Sequence, residues 1–117
     1  MQLVRPGRKA EGTSLADKMM RHRWAEARMW EGLVGPSDSA WSAGIDALND
    51  SSLHPDMLTP DRSPSPEITT LVARVRTVGM RGSLARGSRA RARLYGEYLA
   101  TCAACHAEPG VRVPPKS

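Results

Sequence analysis

The spacing of the apolar residues is the feature that most limits how this 117-residue chain can fold. In four stretches the apolar residues recur every three or four positions, which is the period of a helix with one buried face. No stretch shows the sustained alternation of a half-buried strand. The pattern predicts an all-α fold, and four helices favour an antiparallel four-helix bundle.

Helix start and stop signals divide the first half of the chain. Ser14 is a suitable N-cap, and Gly35-Pro36 ends the first helix. The second helix begins at Ser37 or Ser39 and is short, because a polar run from Asn49 follows it. The residues expected to face inward are Leu15, Met19, Met20, Trp24, Ala27, Trp30, Leu33 and Val34 on the first helix, and Trp41, Ile45 and Leu48 on the second.

The second half begins with a proline-rich stretch, residues 54–65, which predicts a long loop. Ser65-Pro66-Glu67 then combines a cap, a proline and an acid, which together start a helix. Its predicted buried stripe is Ile68, Leu71, Val72, Val75 and Val78. The last helix is predicted from about Ser88 to His106, with an inner face of Ala92, Tyr95, Leu99, Cys102 and His106.

These signals predict one domain over residues 14–110, preceded by a flexible arm (1–13) and followed by a short tail (111–117). No apolar stretch approaches the roughly 20 residues that span a bilayer. The basic N-terminus has no apolar segment, so no signal peptide is visible.

Both cysteines of the chain lie in Cys102-Ala-Ala-Cys105-His106, a pattern typical of covalent haem attachment in c-type cytochromes. The two thiols can reach the two vinyl groups on one edge of a porphyrin, and the next residue can present its imidazole to the iron. Small residues between the cysteines let the porphyrin lie close to the backbone. The motif therefore predicts one covalent haem c with His106 as the proximal iron ligand.

Two other uses of a Cys-x-x-Cys pair remain open. A redox dithiol usually lies at the start of a helix in a βαβ unit, whereas this pair ends a helix in an all-α pattern. A structural zinc site needs further ligands, and the only other histidines are His22 and His54. Both uses are less consistent with the pattern than haem.

A four-helix chain with this motif at the end of its last helix resembles the cytochrome c-prime family and its low-spin, Met-ligated relatives. The resemblance covers about residues 14–110, and its specific part is residues 95–106, Tyr-Gly-Glu-Tyr-Leu-Ala-Thr-Cys-Ala-Ala-Cys-His. A weaker part is Met19-Met20-Arg21-His22. Residues 107–117 contain no Met or His, so a second iron ligand has to come from upstream.

The resemblance implies that the first helix faces the distal side of the iron. Met19 is then the candidate distal ligand, and Met20 is a second cofactor-binding candidate. His22 is an alternative ligand, although a histidine at such a position is more often a solvated or hydrogen-bonded surface residue. Tyr95 and Leu99 are expected to pack on the haem. The arginines expected near the haem propionates are Arg21, Arg23, Arg91 and Arg93.

The charge balance is basic, with 17 Lys and Arg against 12 Asp and Glu. The arginines are interpreted as spread along the chain, without a nucleic-acid motif or aromatic platform, so no nucleic-acid partner is expected. We expect an acidic redox partner protein. The family resemblance also allows a homodimer, and haem attachment implies a periplasmic location.

The sequence thus favours a one-electron carrier whose Met ligand keeps the iron low-spin. The alternatives are a five-coordinate haem protein that binds NO or CO, and a haem-free cytoplasmic redox or interaction module. No acid–base constellation is evident, so we do not expect an enzyme.

Overall fold

A computed structural model describes residues 14–111 of the chain. The predicted arm (1–13) and all but the first residue of the predicted tail lie outside the described residues. Within the described range the chain forms helices and no strands: α1 (Leu15–Val34), α2 (Asp38–Asp50), α3 (Pro55–Leu58), α4 (Pro66–Gly82) and α5 (Gly87–Ala107). The all-α prediction is confirmed, and the one-turn helix α3 lies inside the predicted loop.

The serine caps predicted from the sequence are confirmed. The hydroxyls of Ser14, Ser37 and Ser65 each accept a hydrogen bond from the backbone N–H three residues later, at 3.0, 3.1 and 3.2 Å. These bonds satisfy backbone donors that a helix start otherwise leaves without a partner. No helix within residues 14–111 is long and apolar enough to cross a membrane.

Small residues bring α1 and α2 into close contact. A Cβ on Gly32 would lie 2.8 Å from the backbone nitrogen of Trp41, and one on Gly44 would lie 2.8 Å from the carbonyl oxygen of Ala25. A helix face that carried tryptophans could not approach its neighbour this closely. The predicted inner face of α1 is therefore correct only in part. Leu15, Met19 and Leu33 are partly buried against the core, but the fully buried residues are His22, Ala25, Met29 and Gly32.

The exposed side of α1 consequently carries several residues that were expected to be buried. These exposed residues are Met20, Trp24, Trp30 and Val34. Of the three tryptophans only Trp41 is buried, and its indole N–H donates to the carbonyl oxygen of Gly82 at 3.0 Å. On α1, the buried side is thus marked by the small residues Ala25 and Gly32 and not by the tryptophans.

The predicted buried stripes of α2 and α4 are confirmed, because every residue in them is buried. Helix α4 includes Gly79 and ends at Gly82. Both glycines lie against α2: the Asn49 side-chain amide donates to the carbonyl oxygen of Gly79 at 3.3 Å, and Gly82 contacts Ile45. The absence of side chains at these positions permits the contact.

The buried face of α5 is offset from the predicted one. Its buried residues are Leu94, Tyr98, Thr101 and Cys105, whereas Ala92, Leu99 and His106 are exposed. Two polar groups become buried because they find partners. The Tyr98 hydroxyl donates to the backbone oxygen of His22 at 2.9 Å, and the Thr101 hydroxyl donates to that of Glu97 at 2.7 Å.

Candidate functional site

A cavity of about 120 Å³ lies between α1, α4 and the C-terminal part of α5. Its walls are mainly apolar, and it is partly open to solvent. The residues that line it are Met19, His22, Arg23, Glu26, Leu53, Leu58, Val75, Tyr98, Cys102, Cys105, His106 and Val111. Every part of the Cys-x-x-Cys-His motif that carries a reactive group therefore borders one cavity.

Helix α1 supplies four of these residues at helical spacing. Met19, His22, Arg23 and Glu26 stand at positions i, i+3, i+4 and i+7, which lie on one side of a helix. Met19 is half-buried and packs against a cluster of buried residues that includes Leu53, Leu58 and Cys105. The candidate distal residue and the motif thus border the same space.

Helix α5 supplies the other chemically active wall. Cys102 and Cys105 are separated by one turn, and both thiols are free. Cys105 is buried, Cys102 is half-buried, and His106 is exposed at the cavity edge. This arrangement leaves the imidazole accessible while the two sulfur atoms face the protein interior.

Burial keeps both thiols protonated near neutral pH. The pKa of Cys102 is raised to about 11, mainly by burial and also by the negative charge of Glu26, while a hydrogen bond with Tyr98 partly opposes the shift. Burial is also the main cause of the raised pKa of Cys105, with a smaller contribution from Glu108. Thiols of this kind are poor nucleophiles, in contrast to the low-pKa cysteine of a redox dithiol.

Buried polar contacts fix the α1 wall. The Nε2 of His22 donates to the carbonyl oxygen of Ser51 at 2.9 Å, and the backbone oxygen of His22 accepts the Tyr98 hydroxyl. Burial lowers the pKa of His22 and raises that of Tyr98. His22 is therefore a buried neutral residue rather than a surface one, and iron ligation through Nε2 would break its bond to Ser51.

Several predicted cofactor-binding residues lie outside the cavity. Met20 is exposed on α1 and borders a separate shallow depression with Arg21 and Trp24. Leu99 is exposed, and Tyr95 is half-buried near Trp30 at a ring-centroid distance of 6.3 Å. The cavity therefore gives no support to a cofactor-binding role for Met20, Tyr95 or Leu99, which lie on sides of α1 and α5 that do not line it.

Only one of the four candidate arginines lies at the cavity. Arg23 lines it, whereas Arg91 donates to the Asp38 carboxylate at 2.6 Å and lies over the Trp41 ring. Arg21 and Arg93 do not line the cavity. Arg23 is thus the cation that remains available for an anionic group bound there.

Sequence reasoning missed the cavity contributions of Glu26, Leu53, Leu58, Tyr98 and Val111. Helical spacing could have found two of them, because Tyr98 precedes Cys102 by four residues and Glu26 follows Met19 by seven. No comparable signal marks Leu53 and Leu58. They lie in a proline-rich connection whose path depends on tertiary contacts.

The donor set fits a covalently held haem better than a metal ion alone. Within residues 14–111 no group of three or more His, Cys, Asp or Glu side chains could hold a metal ion. The thiols, the adjacent imidazole and the apolar walls do suit haem. The cavity is smaller than the roughly 300 to 1,000 Å³ typical of ligand pockets, so haem binding would require its walls to separate or part of the group to stay exposed.

No protein-family model matches this chain, and neither a curated protein nor a solved structure matches it.

Proposed function

We propose that this chain is a monohaem c-type cytochrome that carries single electrons. The observation that supports this most strongly is the convergence of Cys102, Cys105, His106 and Met19 on one mainly apolar cavity. Three of these residues form the attachment motif, and the fourth comes from a different helix. The resemblance to the cytochrome c-prime family, including an antiparallel bundle, is part of this proposal.

In the proposed role, Cys102 and Cys105 would hold the haem through two thioether bonds. Each bond would come from addition of a thiol S–H across one vinyl group, which needs no external oxidant or reductant. Because burial raises the pKa of both thiols, we expect attachment to need assistance from a maturation system. The bound haem would supply an Fe(III)/Fe(II) couple.

The remaining cavity residues have distinct roles. His106 would be the proximal ligand, and the thioether of Met19 would be the second ligand, which favours a low-spin centre and a higher potential. Arg23 offers a cation for a carboxylate at the cavity edge. The apolar side chains of Leu53, Leu58 and Val75 exclude water.

The test is an absorption spectrum of the reduced protein, with and without CO, after expression in a host competent for cytochrome c maturation. We expect low-spin bands that CO does not change. The variant Met19→Ala should gain a CO-sensitive spectrum, whereas the neighbouring control Met20→Ala should match the wild type.

The outcomes separate the alternatives. A wild-type spectrum that is high-spin and shifts with CO would contradict the electron-transfer proposal and select a five-coordinate gas-binding protein. Equal CO responses in Met19→Ala and Met20→Ala would exclude Met19 as the ligand.

A further inference from the structure

The positive charge of the chain is concentrated in one segment. Residues 68–96 contain seven arginines and no acidic residue, so they carry a formal charge of +7. The whole chain carries +5, which leaves −2 for all other residues. The arginines do extend from Arg5 to Arg112, but half of the 14 lie in this one segment.

The structure places many of these arginines around the turn between α4 and α5. Arg86, Arg89 and Arg93 are exposed, and among residues 14–111 none of the three forms an ion pair. Arg81 is also exposed and lies 3.7 Å from the carboxylate of Glu97. The cations at the turn are thus largely uncompensated.

Two large apolar side chains stand exposed among these cations. Leu84, in the turn itself, is 74% exposed, and Met80, in the last turn of α4, is 62% exposed. Leu84 is the most exposed large apolar residue in the described part of the chain. We call the group of Met80, Leu84, Arg86, Arg89 and Arg93 the basic apex.

The turn that carries the basic apex is held in place by a neighbouring arginine. The Arg91 guanidinium donates to the carbonyl oxygen of Ala85 at 3.2 Å and to the Asp38 carboxylate at 2.6 Å, and it lies over the Trp41 ring at 5.5 Å. These contacts anchor the turn to α2. The exposed side chains are therefore presented from an ordered support.

We propose that the basic apex docks this protein on an anionic membrane surface. Arginines close to such a surface are attracted by the negative potential of its headgroups. Apolar side chains beside them can enter the boundary between headgroups and acyl chains. Leu84 and Met80, with the unpaired arginines around them, supply both interactions.

The shape of the apex favours a lipid surface over a macromolecular partner. A stable protein interface covers about 800 Å² and about 20 to 30 residues on each partner, whereas the basic apex consists of five residues. Single-stranded nucleic acid is held through aromatic stacking, and the basic apex contains no aromatic residue. A membrane can engage a small projecting turn without a matching groove.

The location of the apex leaves the cavity free. Helix α5 has 21 residues and is therefore about 30 Å long, with the basic apex at its start and the Cys-x-x-Cys-His motif in its last turns. Docking through the apex would hold the protein at the membrane without covering the motif. The inference does not depend on haem, because it concerns the opposite end of the helix.

The experiment is co-sedimentation of the full-length protein with phosphatidylcholine vesicles that contain about one-quarter phosphatidylglycerol. We expect binding that weakens as salt is raised and is absent with pure phosphatidylcholine. The triple variant Arg86→Gln, Arg89→Gln, Arg93→Gln should bind at least about tenfold more weakly. Leu84→Ser should weaken binding severalfold with no change in charge.

The matched control is Lys18→Gln, Arg21→Gln, Arg74→Gln, which removes the same charge from described residues outside the apex and should keep most of the binding. Circular dichroism of each variant checks that the fold is retained. Equal losses for the two triple variants would show that net charge alone drives binding, which overturns the proposal. The proposal is also overturned if the wild type does not bind anionic vesicles, whether or not it binds a soluble polyanion such as poly-glutamate.

Discussion

The two ends of α5 differ in almost every physical respect, although a single helix connects them. The C-terminal end is apolar and joins the cavity through Tyr98, Cys102 and Cys105. The N-terminal end is cationic and exposed, and Arg91 attaches it to α2 through an ion pair and a cation–π contact. One end is thus suited to enclosing a group and the other to meeting a charged surface.

This difference explains why the overall composition was a poor guide to function. A net charge of +5 predicts only a weak preference for acidic partners, but it is the sum of a +7 segment and a −2 remainder. The predictions below test whether the two ends are as independent as their contacts indicate.

The largest expected effect comes from removing the sulfur atoms of the cavity end. The variant Cys102→Ala, Cys105→Ala should lose all covalent haem, because no other cysteine exists in the chain. The measurement is retention of colour by the polypeptide band on a denaturing gel. The apex variant with three Arg→Gln changes is the control and should retain full colour, and a colourless apex variant would break the independence of the two ends.

A second prediction concerns the thiols of the haem-free chain. Because burial raises the pKa of Cys102 to about 11 from an ordinary value of 9.0, little thiolate forms at mildly alkaline pH. Alkylation of Cys102 by iodoacetamide, followed by peptide mass spectrometry, should be on the order of 100-fold slower in the folded chain than in the same chain unfolded in urea. Fast alkylation of the folded chain would instead support a redox dithiol.

A third prediction compares the contributions of the two ends to stability. Tyr98→Phe removes a buried hydrogen bond and leaves the backbone oxygen of His22 without that donor, which should lower the free energy of unfolding by about 1–2 kcal/mol. Arg89→Gln at the exposed apex should change it by less than about 0.5 kcal/mol. Urea denaturation measures both free energies of unfolding, and equal losses would contradict the difference expected between the buried Tyr98 hydrogen bond and the exposed Arg89 side chain.

The smallest expected effect is a pH dependence of stability from His22. Burial lowers the pKa of His22 below its ordinary 6.5, so the unfolded chain binds the proton more tightly than the folded chain. The contribution of neutral His22 to the free energy of unfolding is complete above about pH 6.5, and it is lost as the pH falls below that value. His22→Gln should reduce the acid-side slope of the denaturation midpoint, whereas the exposed control His54→Gln should not. Equal slopes in wild type and His22→Gln would exclude His22 as the source.

Much of the local structure could be predicted from the sequence because local chemistry determines it. Three serine caps and the valine stripe of α4 were confirmed, since capping and helical spacing act within a few residues. The inward faces of α1 and α5 could not be predicted in the same way. They depend on how closely Gly32 and Gly44 let α1 and α2 approach, and on partners that Tyr98 and Thr101 find after folding.

The candidate site shows the same division. The motif residues and Met19 do border the cavity, because adjacent motif residues stay together and Met19 shares a helix side with His22. Met20 and Leu99 do not line the cavity, because they lie on exposed sides of α1 and α5. Leu53 and Leu58 reach the cavity from a connection that no helical period describes.

The most direct test of the central proposal is the intact mass of the wild-type chain, produced in a host with a cytochrome c maturation system and measured under denaturing conditions. The account predicts a polypeptide heavier by one haem, with the added mass on the peptide that contains Cys102 and Cys105. An unmodified mass with two free thiols, from a host that matures a control cytochrome normally, would contradict it.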